Sequence, residues 1–290
     1  MKVLLTGGKG MLGRTILRVL NGKTTTDGKR FEIIPTDLPE ADITDEDCID
    51  SVIKRYAPDA VIHCAAMTAV DKCETEVDLA YKLNARGSAN VAAACNRRNV
   101  RLIAISTDYV FEGSADRPYN EFDVTTGGNT VYGKSKYAGE EQIRALCPNH
   151  VIARISWLYG FGGPSFVHAM IKLADGTRPE LKVVADQVGN PTSAIAVARK
   201  LGEILERPNL CGTFHMTCEG EATWAEFAAE IFRLTGKNQK IVPCTTEEFP
   251  RPASRPKNSR LDKMGLRLAG LSPMPDWKDA LEEFLKEESK

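Results

Sequence analysis

The sequence predicts an α/β protein: a Rossmann-like, doubly wound parallel sheet with a smaller, partly interleaved C-terminal portion. Three observations predict it. Short β-branched runs alternate with helical patterns through the first half of the chain. A glycine-rich turn, Thr6 to Gly13, joins the first such run to the first helical pattern. An acidic residue, Asp37, ends the second run, at the distance from the glycines that a dinucleotide-binding βαβ unit requires.

The elements follow in order. Residues 3–6 are a strand and 11–20 a helix by apolar spacing. Residues 31–36 are a second strand. Thr44, with Asp47 three residues on, predicts an N-cap opening a helix to about Tyr56. Residues 60–63 are a third strand, 79–99 a long alanine-rich helix, and 101–106 a fourth strand. A helix over 133–146 and a strand over 151–156 complete the alternation, which predicts a parallel sheet with helices on both faces. After about residue 160, Gly162-Gly163-Pro164, Asp175-Gly176 and Asn190-Pro191 punctuate shorter elements. Helices are expected over 194–205, 223–235 and near 277–286, with a Pro- and Arg-rich stretch over 250–260. The expected division is a dinucleotide-binding domain over 1–160 and a mainly substrate-binding portion over 161–290, with interleaved segments.

Composition excludes several classes. At 290 residues, 42% hydrophobic and 27% charged, the chain can bury a large core and is not disordered. A formal net charge of −1 gives no electrostatic footprint for nucleic acid. No apolar run approaches the ~20 residues of a membrane span. The first residues run into glycines too soon for a signal peptide, so the cytoplasm is expected. None of the eight cysteines stands in a C-x-x-C pair, which predicts reduced, mostly buried thiols and no metal.

The turn Thr6-Gly7-Gly8-Lys9-Gly10-Met11-Leu12-Gly13 carries chemistry. Its glycines at 7, 10 and 13 allow a tight turn, close approach to a pyrophosphate and close helix–sheet packing. The helix N-terminus then offers free N–H groups to the anion. A carboxylate at Asp37 accepts from ribose hydroxyls and repels a 2′-phosphate, and no arginine follows it. NADH is therefore expected over NADPH. Asp42 and Ile43 are candidates for the adenine, or are simple capping residues.

Tyr132 and Lys136 stand four apart and share one helix face. A tyrosine acid working near neutrality needs its pKa lowered by about three, roughly 4 kcal/mol. An ammonium a few ångströms away supplies about that much. Thr107, at the end of the fourth strand, is in the part of an open α/β sheet where ligands bind, and its hydroxyl can bond the oxygen that Tyr132 protonates.

The glycine loop, Thr107 and Tyr132-x-x-x-Lys136 together resemble the extended short-chain dehydrogenase/reductases. Within them the chain is similar to the dTDP-4-dehydrorhamnose reductases over nearly its whole length. That likeness rests on Ser106-Thr107-Asp108-Tyr109-Val110-Phe111, Val131-Tyr132-Gly133-Lys134, Arg154-Ile155-Ser156-Trp157-Leu158-Tyr159 and Arg255-Pro256-Lys257-Asn258-Ser259-Arg260-Leu261.

The resemblance implies hydride transfer from NAD(P)H to a sugar C4 ketone. Tyr132 would be proton donor, Lys136 would bind the nicotinamide ribose and lower the tyrosine pKa, and Thr107 would hold the C4 oxygen. It implies that Gly7, Gly10, Met11, Leu12, Gly13, Asp37, Asp42, Ile43, Ala66, Met67, Thr68 and Asn84 serve the cofactor with Tyr132 and Lys136. Thr107, Asp108 and Trp157 would meet the substrate. Arg255, Lys257 and Arg260 are candidates for its diphosphate, or belong to a solvated charged loop.

One departure concerns assembly. In some members of that family a magnesium-bridged dimer uses a glutamate early in the first helix. This helix opens Gly13-Arg14-Thr15-Ile16, with no carboxylate, so a metal-free homodimer or a monomer is expected. Rival readings are a nucleotide-sugar epimerase or dehydratase, and a non-catalytic NAD(P)-binding subunit similar to the methionine adenosyltransferase β subunit. A dehydratase would carry Asp-Glu after the threonine, where this chain has Asp108-Tyr109.

Overall fold

The computed structural model describes residues 1–289. The chain alternates β1 (Lys2–Thr6), α1 (Met11–Leu20), β2 (Glu32–Thr36), α2 (Glu46–Tyr56) and β3 (Ala60–His63). Then come α3 (Val70–Thr75), α4 (Val77–Tyr81), a π-turn (Lys82–Arg86), α5 (Gly87–Arg97) and β4 (Arg101–Thr107). A single 3₁₀ turn (Asp108–Val110) precedes α6 (Val131–Leu146) and β5 (His150–Ile155).

The second half holds β6 (Leu158–Tyr159), α7 (Phe166–Leu173), β7 (Glu180–Val184), β8 (Val188–Gly189), β9 (Thr192–Ser193), α8 (Ala194–Leu205) and β10 (Gly212–His215). It ends with β11 (Ala222–Thr223), α9 (Trp224–Thr235), β12 (Lys240–Cys244), β13 (Asn258–Ser259), α10 (Met264–Leu268) and α11 (Trp277–Glu288).

The main sheet runs β2-β1-β3-β4-β5-β10, and every neighbouring pair is parallel. Its strands are apolar on both faces because both are covered. Val3 and Leu5 face the layer of α1 and α8, while Leu4 faces that of α2 and α5. β10 and α8 come from beyond residue 161, so the second half contributes an edge strand and a covering helix to the first. Strand order reverses at β1, between β2 and β3, and the crevice at such a reversal is where doubly wound sheets bind ligands.

Away from the sheet, β11-β8-β13, β12-β7 and β6-β9 form small separate pairings. α7, α9 and α11 pack there on an aromatic cluster of Tyr159, Phe166, Trp224, Phe227 and Phe284. No helix among the described residues is long and apolar enough to cross a membrane. Cys73, Cys95, Cys147, Cys218 and Cys244 are buried thiols, and no cysteine among the described residues forms a disulfide.

Three expectations change. The cap of α2 is Asp45, whose carboxylate accepts from the Cys48 amide; Thr44 instead donates its hydroxyl to Asp42. The long helix of 79–99 is broken into α4, the π-turn and α5. The break turns Asn84 inward, where its amide brackets the Met67 backbone at 2.8 and 3.1 Å and donates to Ser135 of α6 at 3.0 Å. Helix α6 opens two residues earlier than expected. Its cap is Thr130, which accepts from the Gly133 amide at 3.0 Å, so Tyr132 lies in the first turn.

Candidate active site

A cleft of about 610 Å³ opens over the reversal at β1. Its floor is the glycine turn. Gly7 has φ +70°, and a Cβ there would meet the Ala65 amide at 2.7 Å; a Cβ on Gly13 would meet the Gly7 carbonyl at 2.3 Å. The turn is thus drawn tight against the sheet, and amides at the start of α1 face open space. Gly10, Met11 and Leu12 line the cleft with them. Asp37, Asp42 and Ile43 line one end, and Ala66 and Thr68 its side. The Asp37 carboxylate already accepts from the backbone amides of Lys9, at 3.0 Å, and Leu38, at 2.9 Å, which fixes its position at the tip of β2.

Thr107, Asp108, Tyr132, Lys136 and Trp157 line the other end. Thr107 donates its hydroxyl to Asp108 Oδ1 at 3.0 Å and lies beside the Tyr132 hydroxyl. Asp108 Oδ2 is buried without a hydrogen-bond partner. Burial pushes this carboxyl up to about 6, against the neighbouring hydroxyls of Ser259 and Thr107.

Lys136 departs from expectation. Its ammonium donates to the Ile105 carbonyl at 2.8 Å, and burial brings it down to about 8. Burial also raises the Tyr132 phenol above its ordinary value, and the neighbouring Thr107 hydroxyl, rather than the lysine, opposes that rise. The tyrosine that the spacing argument expects to be acidified is held firmly protonated.

A second cavity, about 770 Å³, meets the first at Asp108, Tyr109 and Trp157. Trp157, at φ +46°, stacks its indole on that of Trp224 with centroids 3.5 Å apart and planes 11° from parallel. Trp224 is fixed by donating Nε1–H to Gln187 at 3.0 Å. Phe166, Met170 and Leu173 continue the apolar wall, and Lys182, Arg251 and Arg255 supply positive charge. Sequence reading missed Trp224, Lys182 and Arg251. The Pro- and Arg-rich run pointed toward Arg251, whereas nothing in sequence distinguishes Trp224 from a core residue of α9.

Some expected residues lie elsewhere. Met67 and Asn84 do not line the cleft: Asn84 is 1% exposed and spends its amide on the Met67 backbone and Ser135, so it braces the cleft wall from behind. Arg255 lines the second cavity but is paired with Asp71 at 2.9 Å. Arg260 turns away, to Glu221, the Asp116 carbonyl and Asn258. Lys257 is outside the cavity lining as well.

A narrow trough that runs from a carboxylate, over a glycine turn, to a protonated tyrosine beside a second cavity has the form of a seat for an extended dinucleotide whose reacting end meets a second molecule. That defines the class as the NAD(P)-dependent oxidoreductases of short-chain dehydrogenase/reductase type. The residues present fit the cofactor: a Cβ at Gly7 or Gly13 would strike the protein's own backbone, so only glycine lets the turn close this tightly beneath the cleft.

Comparison with known proteins narrows the class. A dTDP-4-dehydrorhamnose reductase of Streptomyces griseus is 39% identical over 97% of this chain and 91% of its own. The crystal structure of a dTDP-4-dehydrorhamnose reductase from Clostridium acetobutylicum is 47% identical, with TM-score 0.94 over 100% of both chains. That of the Bacillus anthracis dTDP-4-dehydrorhamnose reductase, in complex with NADP, is 39% identical with TM-score 0.92 over 99% of both. The RmlD substrate binding domain family matches residues 1–290, and the chain belongs to it.

Proposed function

We propose that this protein reduces the C4 ketone of dTDP-4-dehydro-β-L-rhamnose to dTDP-L-rhamnose with NAD(P)H, Tyr132 giving the proton. The observation that carries the reading is the cluster of Tyr132, Thr107 and Asp108, with Thr107 bonded to Asp108 beside the tyrosine, set where the glycine-floored cleft meets the tryptophan-walled cavity.

Gly7, Gly10, Met11, Leu12 and Gly13 hold the pyrophosphate, with the amides of the first turn of α1 as donors and the Gly10 amide closing the turn onto the Gly7 carbonyl. Asp37 takes the adenosine ribose, Asp42 and Ile43 the adenine, and Ala66 and Thr68 flank the rest. Lys136 binds the nicotinamide ribose. When bound, the dinucleotide supplies the hydride to the carbonyl carbon. Tyr132, which is protonated in the free protein, then gives its proton to the carbonyl oxygen, and the cationic nicotinamide formed beside it favours that transfer. Thr107 orients that oxygen by turning its hydroxyl proton from Asp108 to it. Trp157 faces the deoxysugar ring, and Arg255, with Lys182 and Arg251, the diphosphate.

On this reading residues 1–160 chiefly serve the cofactor and 161–290 the substrate, with β10 and α8 returning to the first part. The protein works in the cytoplasm as a monomer or metal-free homodimer. NADH is the preferred donor, because the Asp37 carboxylate disfavours a 2′-phosphate. NADPH has one specific support, the Lys9 ammonium bonded to the Leu38 carbonyl beside Asp37.

The test is loss of dihydronicotinamide absorbance with dTDP-4-keto-6-deoxyglucose, with and without a 3,5-epimerase, run with NADH and with NADPH. Consumption that needs the epimerase supports the reading. Consumption without it assigns a different 4-keto sugar. No consumption by folded, cofactor-binding protein overturns the reductase reading in favour of an epimerase or a regulatory subunit.

A further inference from the structure

Three consecutive residues of β4 face three residues one helical turn apart on α6, and two of the three pairs are hydrogen-bonded. Thr107 lies beside Tyr132, the Ile105 carbonyl accepts from Lys136 at 2.8 Å, and the Ser106 hydroxyl donates to Glu140 at 2.6 Å. Spacing of four brings all three to one helix face. The first two are the reacting pair of the proposed function, and the third has no part in it. Glu140 is 2% exposed and uses both oxygens twice: Oε1 accepts from Ser106 and from Arg154 Nε at 2.9 Å, and Oε2 accepts from Arg154 Nη2 and from Arg144, both at 2.7 Å. A carboxylate so saturated is rigid, and it joins α6 to β4 and β5 at once.

We propose that Glu140 is a positioning residue, which keeps Lys136 charged and locks α6 to β4 in the register that brings Tyr132, Lys136 and Thr107 together. The inference rests on the reductase reading for its catalytic consequence. Burial depresses the Lys136 ammonium, and Glu140 is the foremost group opposing it. The other groups facing the lysine do not replace that charge. Cys64 and His63, at the end of β3, are held neutral by burial, the thiol near 12 and the imidazole near 3. Behind Glu140 stand Arg154 and Arg144, with His215 also held neutral near 3. Without the carboxylate, two unopposed guanidiniums would face the same interior as the ammonium, and Lys136 would lose its proton near neutrality.

The test uses the full chain labelled with ¹⁵N-lysine, the Lys136 Nζ signal being assigned by its loss in Lys136→Met. In Glu140→Gln the Lys136 titration should fall by roughly one pH unit. kcat should drop by about tenfold or more at nearly unchanged KM, as misplacement of a reacting group does. Glu140→Asp, which keeps the charge, should restore the titration. A folded Glu140→Gln in which Lys136 titrates as in wild type overturns the proposal.

Should Glu140→Gln fail to fold, Ser106→Ala cuts only the tie to β4. It should weaken NADPH and NADH binding about threefold, since a loosened Lys136 is less preorganised. Unchanged affinity overturns the proposal. If wild type reduces no keto sugar while the titration still moves, the functional reading fails and this one stands. Turnover with an unmoved titration is the reverse case.

Discussion

Replacing Lys136 by methionine separates what that residue does for the reaction from what it does to the fold. Lys136 is 7% exposed, and burial brings its pKa from 10.5 to about 8. At about 1.4 kcal/mol per tenfold in proton affinity, the buried ammonium costs the fold about 3 kcal/mol at pH 7. Methionine removes that cost and loses the bond to the Ile105 carbonyl, worth about 1 kcal/mol. The variant should therefore be more stable than wild type by about 2 kcal/mol, or about 3 °C in Tm for a chain of this size.

The pH dependence gives the sharper check. The folded-state pKa lies below the unfolded one, so the unfolded chain binds more protons between them. The cost is complete below pH 8 and fades as pH rises toward 10.5. The advantage of Lys136→Met should shrink to about 1 kcal/mol at pH 9. Urea unfolding without nucleotide at pH 7 and pH 9 measures both values. A variant less stable than wild type at pH 7, or a gap that does not narrow by pH 9, refutes the reasoning.

Tyr132→Phe should bind dinucleotide as wild type does, by fluorescence titration, and lose about 10²- to 10⁴-fold in kcat, the range for a general acid; near-wild-type turnover rejects Tyr132 as donor. Gly13→Ala sets a methyl against the Gly7 carbonyl, so it should weaken dinucleotide binding at least about tenfold while the sheet stays folded by far-UV circular dichroism. Asp108→Asn addresses a carboxyl raised from 3.8 to about 6. Its ionised form costs the fold about 3 kcal/mol above pH 6, a cost that disappears as pH falls below 4. The asparagine variant should be the more stable protein at pH 7 and lose that advantage at pH 4, by denaturant titration.

Sheet and cofactor cleft were legible in sequence because each rests on local rules. A glycine turn between strand and helix is set by neighbours within a few residues, and short apolar runs such as 60–63 and 101–106 suit interior parallel strands. Tyr132, Lys136 and Thr107 were legible for the same reason, being fixed by a helical turn and a strand end. What escaped depends on distant partners. Asn84 looks like a cofactor ligand until the π-turn carries it behind the cleft wall. Arg260 looks like a diphosphate clamp until Glu221 and Asp116 claim it. Trp224 is one more apolar residue of α9 until the loop at 157 folds a second indole onto it. The sign of the Tyr132 shift failed likewise, because sequence spacing gives the lysine's proximity but not the burial that outweighs it.

The indole stack also has an optical consequence. The chain has three tryptophans, and two of them, Trp157 and Trp224, are stacked where cofactor cleft and second cavity meet, while Trp277 is buried against Phe227. Two transition dipoles at that separation couple, so the pair carries an exciton signal that the lone third indole lacks. A molecule entering either cavity perturbs one member of the couple and changes the signal. The protein therefore holds an intrinsic gauge of occupancy at the junction itself, readable without a label and independent of turnover.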